Sequence, residues 1–179
     1  MEKEYYFSFD EPILYNKKII CAFYISNIER KRGFFFIVNE NDQLILYYSM
    51  ISSSDLVKFV KEYGNKMNLD KKATFMEIFN TLDFKKTYNN RFLKHKRLNH
   101  QQYIMKTIEK MSKDNIYNAN NQIQGLDGFS VELKLDQLEE SFYAWCYADD
   151  KKYFYVLDFI NSILDELAVN DEYRFEKVE

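Results

Sequence analysis

Residues 19–25 read Ile-Ile-Cys-Ala-Phe-Tyr-Ile, and a β-strand made from them has no polar face. Side chains alternate along a strand, so Ile19, Cys21, Phe23 and Ile25 fall on one side and Ile20, Ala22, Tyr24 and Ser26 on the other. Such a strand is stable in water only inside a sheet that carries packed material on both faces. A central strand over Lys18–Ile28 is therefore expected, and with it a layered fold.

The flanking sequence supplies its neighbours. Glu4–Phe9, Gly33–Val38 and Gln43–Tyr48 are rich in aromatic and β-branched residues, which predicts a four-stranded antiparallel meander. Asn39-Glu40-Asn41-Asp42 and Glu29-Arg30-Lys31-Arg32-Gly33 supply its turns. In Phe34-Phe35-Phe36, alternation sends Phe35 to the face opposite its neighbours, into a second packed layer or an interface.

The middle of the chain changes period. Ser52-Ser53-Ser54-Asp55 offers helix N-caps, Leu56, Phe59, Val60 and Tyr63 follow at helical spacing, and Gly64 stands where a helix stop is expected. A second helix is predicted over Ala73–Leu82 and a third from near Asn99, with Ile104, Met105, Ile108 and Met111 on one face. Residues 129–135 return to strict alternation, and Ser141–Tyr147 makes an antiparallel partner for them. Asp149 and Asp150 then precede the stripe Tyr155, Val156, Phe159, Ile160, Ile163, Leu164 and Leu167, which predicts a capped amphipathic helix of about four turns. Asn115–Gln124 reads as a polar linker. The expected class is α+β: an N-terminal antiparallel meander, a helical middle, then a β-hairpin and an amphipathic helix. One domain over 1–179 is expected, with lobes 1–66 and 67–179 as the alternative.

The chain of 179 residues has 16 Phe and 15 Tyr, ample apolar surface for a core without a metal or disulfide. Cys21 and Cys146 both lie in strand-like apolar runs and are expected to be buried thiols. Lys outnumbers Arg 20 to 5, and the bias towards Phe, Tyr, Ile, Asn and Lys is that of AT-rich codons, as in a low-GC bacterium or its phage. No apolar run reaches the roughly 18 residues of a membrane span. The opening Met1-Glu2-Lys3-Glu4 lacks the order of a secretory signal, so a cytoplasmic protein is expected.

Charge is segregated. The formal net charge of −3 divides into −1 over residues 1–84, +8 over 85–113 and −10 over 114–179. Two candidate surfaces follow. Lys85, Lys86, Arg91, Lys94, Lys96, Arg97, Lys106 and Lys110, interleaved with Tyr88, Phe92 and Tyr103, could follow a phosphate backbone while the rings stack on bases. Asp149, Asp150, Asp158, Asp165 and Glu166 could instead mask a basic surface on another protein. The second arrangement is similar in kind to toxin-neutralising immunity proteins and phage inhibitors of nucleases: small, acidic on one side, without catalytic motifs. It implies a protein partner with a basic surface.

Catalytic patterns are sparse. Asp127 followed by Glu132-Leu133-Lys134 resembles the order used by restriction-endonuclease-type nucleases, in which two carboxylates hold a divalent metal and the Lys assists water. Here Asp127 sits in the turn-like Gly125-Leu126-Asp127-Gly128, whereas that family carries its Asp on a preceding strand. His95 and His100 are five apart, not the i, i+4 spacing that brings two ligands to one helix face. No phosphate loop or nucleophile elbow is present. The expectation is a non-catalytic inhibitor or immunity-type protein without cofactor or metal, with a nucleic-acid-binding accessory protein second and a metal-dependent nuclease third.

Overall fold

A computed structural model describes residues 11–26, 31–67, 75–79, 81–116, 129–136, 141–145, 147–148, 151–169 and 173–177. The elements in order are β1 (Ile19–Ser26), β2 (Lys31–Glu40), β3 (Gln43–Ser52), α1 (Ser53–Lys66), α2 (Phe75–Phe79), α3 (Leu82–Phe92), β4 (Lys94–Arg97), α4 (Gln101–Lys113), β5 (Ser130–Leu135), β6 (Phe142–Trp145), β7 (Tyr147–Ala148), α5 (Phe154–Glu166) and β8 (Glu176–Lys177). The protein is α+β, as its sequence implies. The expected strand Glu4–Phe9 and most of the linker Asn115–Gln124 lie outside the described residues.

The main sheet has the order β4-β3-β2-β1-β5-β6, with every neighbouring pair antiparallel. The two-sided strand is interior, between β2 and β5. Strands from both sides of residue 66 share this one sheet. The β2–β3 hairpin turns on Asn41 and Asp42, both at positive φ (50° and 61°), the conformation of a two-residue primed turn that Asn and Asp tolerate. The turn is thus tighter than the four residues expected. Lys31 and Arg32, expected in the preceding turn, already pair with Ser52 and Ile51 in the ladder.

Each face of the sheet has its own core. On one face, Cys21, Phe23, Ile25, Phe35, Ile37, Leu46, Val131 and Leu133 pack against α4 through Ile104, Ile108 and Met111, and against α5 through Val156, Phe159, Ile160, Ile163 and Leu164. On the other, Ala22, Phe34, Phe36 and Val38 form a second layer, joined by Leu14, Tyr24 and Tyr47. A register shift between Ile19 and Cys21 brings Ile19 opposite Val38 and into this second layer. Phe34, Phe35 and Phe36 are all fully buried, and Phe35 points opposite to its neighbours, stacked on Phe23 at 4.5 Å between centroids.

Helices α1 to α3 build a third cluster from Phe59, Tyr63, Phe79, Phe84 and Tyr88, anchored on Ile51 of β3. Ser52 caps α1: its hydroxyl accepts from the Asp55 N–H at 3.1 Å and donates to the Asp55 carboxylate at 2.7 Å. Gly64 does not stop this helix, which runs on to Lys66. The single helix expected over Ala73–Leu82 is instead two. Thr81 interrupts it, accepting from the Phe84 N–H at 3.3 Å while donating to the Ile78 carbonyl at 2.9 Å, and so starts α3, a helix the sequence reading did not identify. Asn89 of α3 ties the segment before β1 in place, donating to the Ile13 carbonyl at 2.6 Å and accepting its N–H at 3.3 Å.

The C-terminal helix starts at Phe154 after a 3-10 turn over Lys151–Tyr153, with Tyr153 as its N-cap; the expected cap residues Asp149 and Asp150 lie outside the described residues. Asn161 holds the following chain by donating to the Phe175 carbonyl (2.9 Å) and accepting the Phe175 N–H (3.0 Å). Among the described residues no helix is long and apolar enough to cross a membrane.

The tightest point of the sheet is Gly33. A Cβ there would stand 2.5 Å from Cε2 and 2.8 Å from Cζ of Phe35, a ring locked in the stack on Phe23. Gly33→Ala is expected to cost about 1–3 kcal/mol, as overpacking of a dense core does. Urea unfolding measures this, and an unchanged midpoint would contradict the packing described.

Candidate functional site

The basic segment surrounds an edge strand. β4 consists of Lys94, His95, Lys96 and Arg97, paired with Tyr48, Tyr47, Leu46 and Ile45 of β3, and among the described residues it ends the sheet. Four consecutive cationic or imidazole side chains give no alternation, so this strand was invisible to periodicity. Its pairing comes from the β3 edge, continued by the Leu98 N–H donating to the Leu44 carbonyl at 2.9 Å. Gln101 closes the corner, accepting from the Leu44 N–H at 3.2 Å and donating to the Leu98 carbonyl at 3.2 Å. Lysine on an edge strand has a bland role as well, since it discourages edge-to-edge aggregation.

The candidate basic residues separate into those the fold uses and those it leaves in solvent. Lys85 is only 3% exposed; it donates to the Glu11 carbonyl at 3.4 Å and lies 5.4 Å from the Phe79 ring centroid. Arg91 pairs with Glu62 at 2.9 Å and lies over Phe59 and Phe92. Lys96 donates to the Glu166 carbonyl at the C-terminus of α5, where a cation also meets the negative end of the helix dipole. Lys110 sits over the Tyr155 ring at 3.9 Å. Lys86, Lys94, Arg97 and Lys106 are exposed, without a partner among the described residues.

The interleaved aromatics do not accompany them outward. Tyr88 is buried in the α1–α3 cluster, and Phe92 packs against it. Tyr103, at 48% exposure, is the exposed ring of the three.

Of the acidic candidates that the structure describes, two have partners at the surface and one is exposed without one. Asp149 and Asp150 lie outside the described residues. Asp158 pairs with Lys177 at 2.6 Å. Glu166 accepts from both the backbone N–H and the side-chain amide of Asn99, each at 3.2 Å, beside the N-terminus of α4. Asp165 is exposed. The apolar side of α5 is core, and Glu166 with Lys96 and Asn99 joins α5, β4 and the start of α4 at one corner. At the far end of α4, the Tyr155 hydroxyl donates to Asp114 at 2.8 Å, and burial followed by this bond pushes the phenol well above its ordinary range.

Other chemistry-bearing residues have local roles. Glu132 accepts from the Ser141 hydroxyl at 2.7 Å and lies 3.9 Å from Lys134, on the polar side of β5; Asp127 lies outside the described residues. His95 is on a strand, packed on Tyr47 at 5.7 Å between centroids, while His100 occupies a left-handed position before α4. Burial raises the Cys21 thiol far above its ordinary value. The Cys146 and Trp145 side chains lie outside what the structure describes. Among the described residues no group of three His, Cys, Asp or Glu could hold a metal ion.

One ion cluster flanks β4. Lys17 lies 2.6 Å from a Glu40 oxygen that also accepts the Tyr47 hydroxyl at 2.8 Å. The ammonium first, then the phenol, hold the Glu40 carboxyl below its ordinary value, and Glu40 in turn raises Lys17. A carboxylate whose folded value is depressed contributes stability that is complete above its unfolded value and is lost as pH falls through the folded one. Glu40→Gln is therefore expected to flatten the acid limb of the stability profile at low salt, and the difference should fade in concentrated salt because the pair is solvated. Denaturant titrations across pH check this; identical acid limbs in both proteins would contradict it. No protein-family model, curated protein or solved structure matches the chain.

Proposed function

We propose that this protein works by stoichiometric binding to another protein, as an inhibitor or immunity-type protein of bacterial or phage origin, and that its contact surface is the basic edge at β4. The observation that carries this reading is the unequal use of charge. Lys94 and Arg97 on the edge, with Lys86 and Lys106 on the flanking helices, are exposed without partners among the described residues. Among the described acidic candidates, Asp158 and Glu166 bind the protein's own Lys177 and Asn99, and Asp165 alone is exposed without a partner. Exposed, unpaired cations keep their field for a partner and accelerate encounter with an acidic one. The complementary potential therefore belongs on an acidic partner, the reverse of the polarity suggested by the acidic tail alone.

Binding to a phosphate backbone is the second reading, favoured by the same cations and by exposed Tyr103. It lacks the stacking platform that sequence-tolerant single-strand binding uses, because Tyr88 and Phe92 are engaged within the protein.

The test compares two sets of reversals in the full chain, read by copurification with its native partner and by the affinity of the resulting complex. Lys94→Glu with Arg97→Glu is expected to weaken association at least about tenfold and to remove most of its salt dependence. Reversal of Asp158, Asp165 and Glu166 is expected to change affinity less. Loss of association only in the acidic set would move the contact to α5, and salt-dependent oligonucleotide binding lost in the basic set would favour the second reading.

A further inference from the structure

The β4 edge offers backbone as well as charge. In an antiparallel ladder, alternate residues direct their N–H and C=O towards the partner strand and away from it. The bond from the Leu98 N–H to the Leu44 carbonyl sets the phase, so Lys96 and Lys94 bond across to Leu46 and Tyr48. His95 and Arg97 consequently turn their N–H and C=O groups outward. Their side chains are exposed, as is that of Lys94, and no strand lies beyond β4 among the described residues.

We propose that β4 accepts an added β-strand from an extended, acidic segment of a partner protein. The proposal rests on the protein-binding reading above and adds its geometry: main-chain bonds to His95 and Arg97 supply affinity, and charge supplies selectivity. Lys94 and Arg97 project from opposite faces of the sheet, so the matching segment carries carboxylates on both of its faces. A second copy of this chain is a poor occupant. Pairing β4 with itself would set its cations opposite one another, and like charges directly opposed destabilise a strand pair. A nucleic acid could meet the cations but has no row of amides to continue the ladder.

The experiment uses the full chain and fluorescence anisotropy with a short labelled peptide repeating Glu-Glu-Val-Val, which as a strand carries Glu on both faces. Four comparison probes accompany it: two versions N-methylated on one or the other alternate set of amides, a version with Lys for Glu, and a single-stranded oligothymidine. Saturable, salt-weakened binding of the Glu peptide is expected. Methylation of the amides that face β4 should weaken it by about tenfold or more, the factor that one or two lost main-chain hydrogen bonds supply, while methylation of the other set has little effect.

His95→Pro removes an outward N–H and leaves the bonds to β3, a substitution edge strands accept, and it should weaken the peptide equally. Should that variant fail to fold, the N-methylated peptides on the unaltered protein still decide. Equal binding of both methylated peptides, no binding of the Glu peptide, or tighter binding of oligothymidine would overturn strand addition. So would a concentration-dependent dimer that competes with the peptide. Weakening by Lys94→Glu with Arg97→Glu but not by N-methylation would leave the basic-surface reading standing while removing this inference.

Discussion

The structure depends on a sheet that cannot face water on either side. Phe34, Phe35 and Phe36 are fully buried in succession, Phe35 against Phe23 on one face and Phe34 against Tyr24 on the other. Burying such a ring removes about 150–250 Å² from water. Leaving either layer open would forfeit that gain along the whole of β1 and β2. The helices are therefore placed by the sheet. Amphipathic α4 and mostly apolar α5 cover one face, and the segment before β1, tied to α3 by Asn89, joins the cover of the other.

Covering both faces concentrates polarity at the rim. The centre of the sheet has little room for charge, and the strand at its β4 end reads Lys-His-Lys-Arg. A lysine-bearing edge resists fusion with other edges, because like charges would be brought together. Among the described residues no strand pairs with the outer side of this edge.

What was legible in the sequence follows from the same physics. Two-sided burial writes itself into β1 and β2 as continuous apolar residues, and one-sided burial writes itself into β5 as alternation, so these strands and the α+β class could be read directly. Helix α3 left a weaker trace: Phe84, Tyr88 and Phe92 recur every four residues behind Thr81, but the lysines between them drew the segment into a charge reading. β4 left none, because Lys-His-Lys-Arg owes its conformation to β3 and to the Gln101 bridge, not to its own propensity. The candidate site was legible as a run of charge and illegible as a surface. Lys85 and Arg91 bury or stack their long side chains against rings, and a sequence count gives them the same weight as exposed Lys94 and Arg97.

That difference matters for any inference from segmental charge. The tail carries −10 and the middle +8, and pairing the two blocks wholesale would leave no surface at all. The fold joins them locally instead. Glu166 reaches Asn99 beside the start of α4, and Lys96 reaches the carbonyl that ends α5, so each helix terminus receives the charge its dipole favours. These contacts fasten α5 to the corner beside the edge strand while engaging only Lys96 of its cations. Asp158 is drawn off to Lys177 at a separate position on the same helix. Asp165, beside Glu166 on the same helix, is exposed. Lys94 and Arg97 of β4 stay exposed and without a partner among the described residues, even though the chain as a whole is acidic.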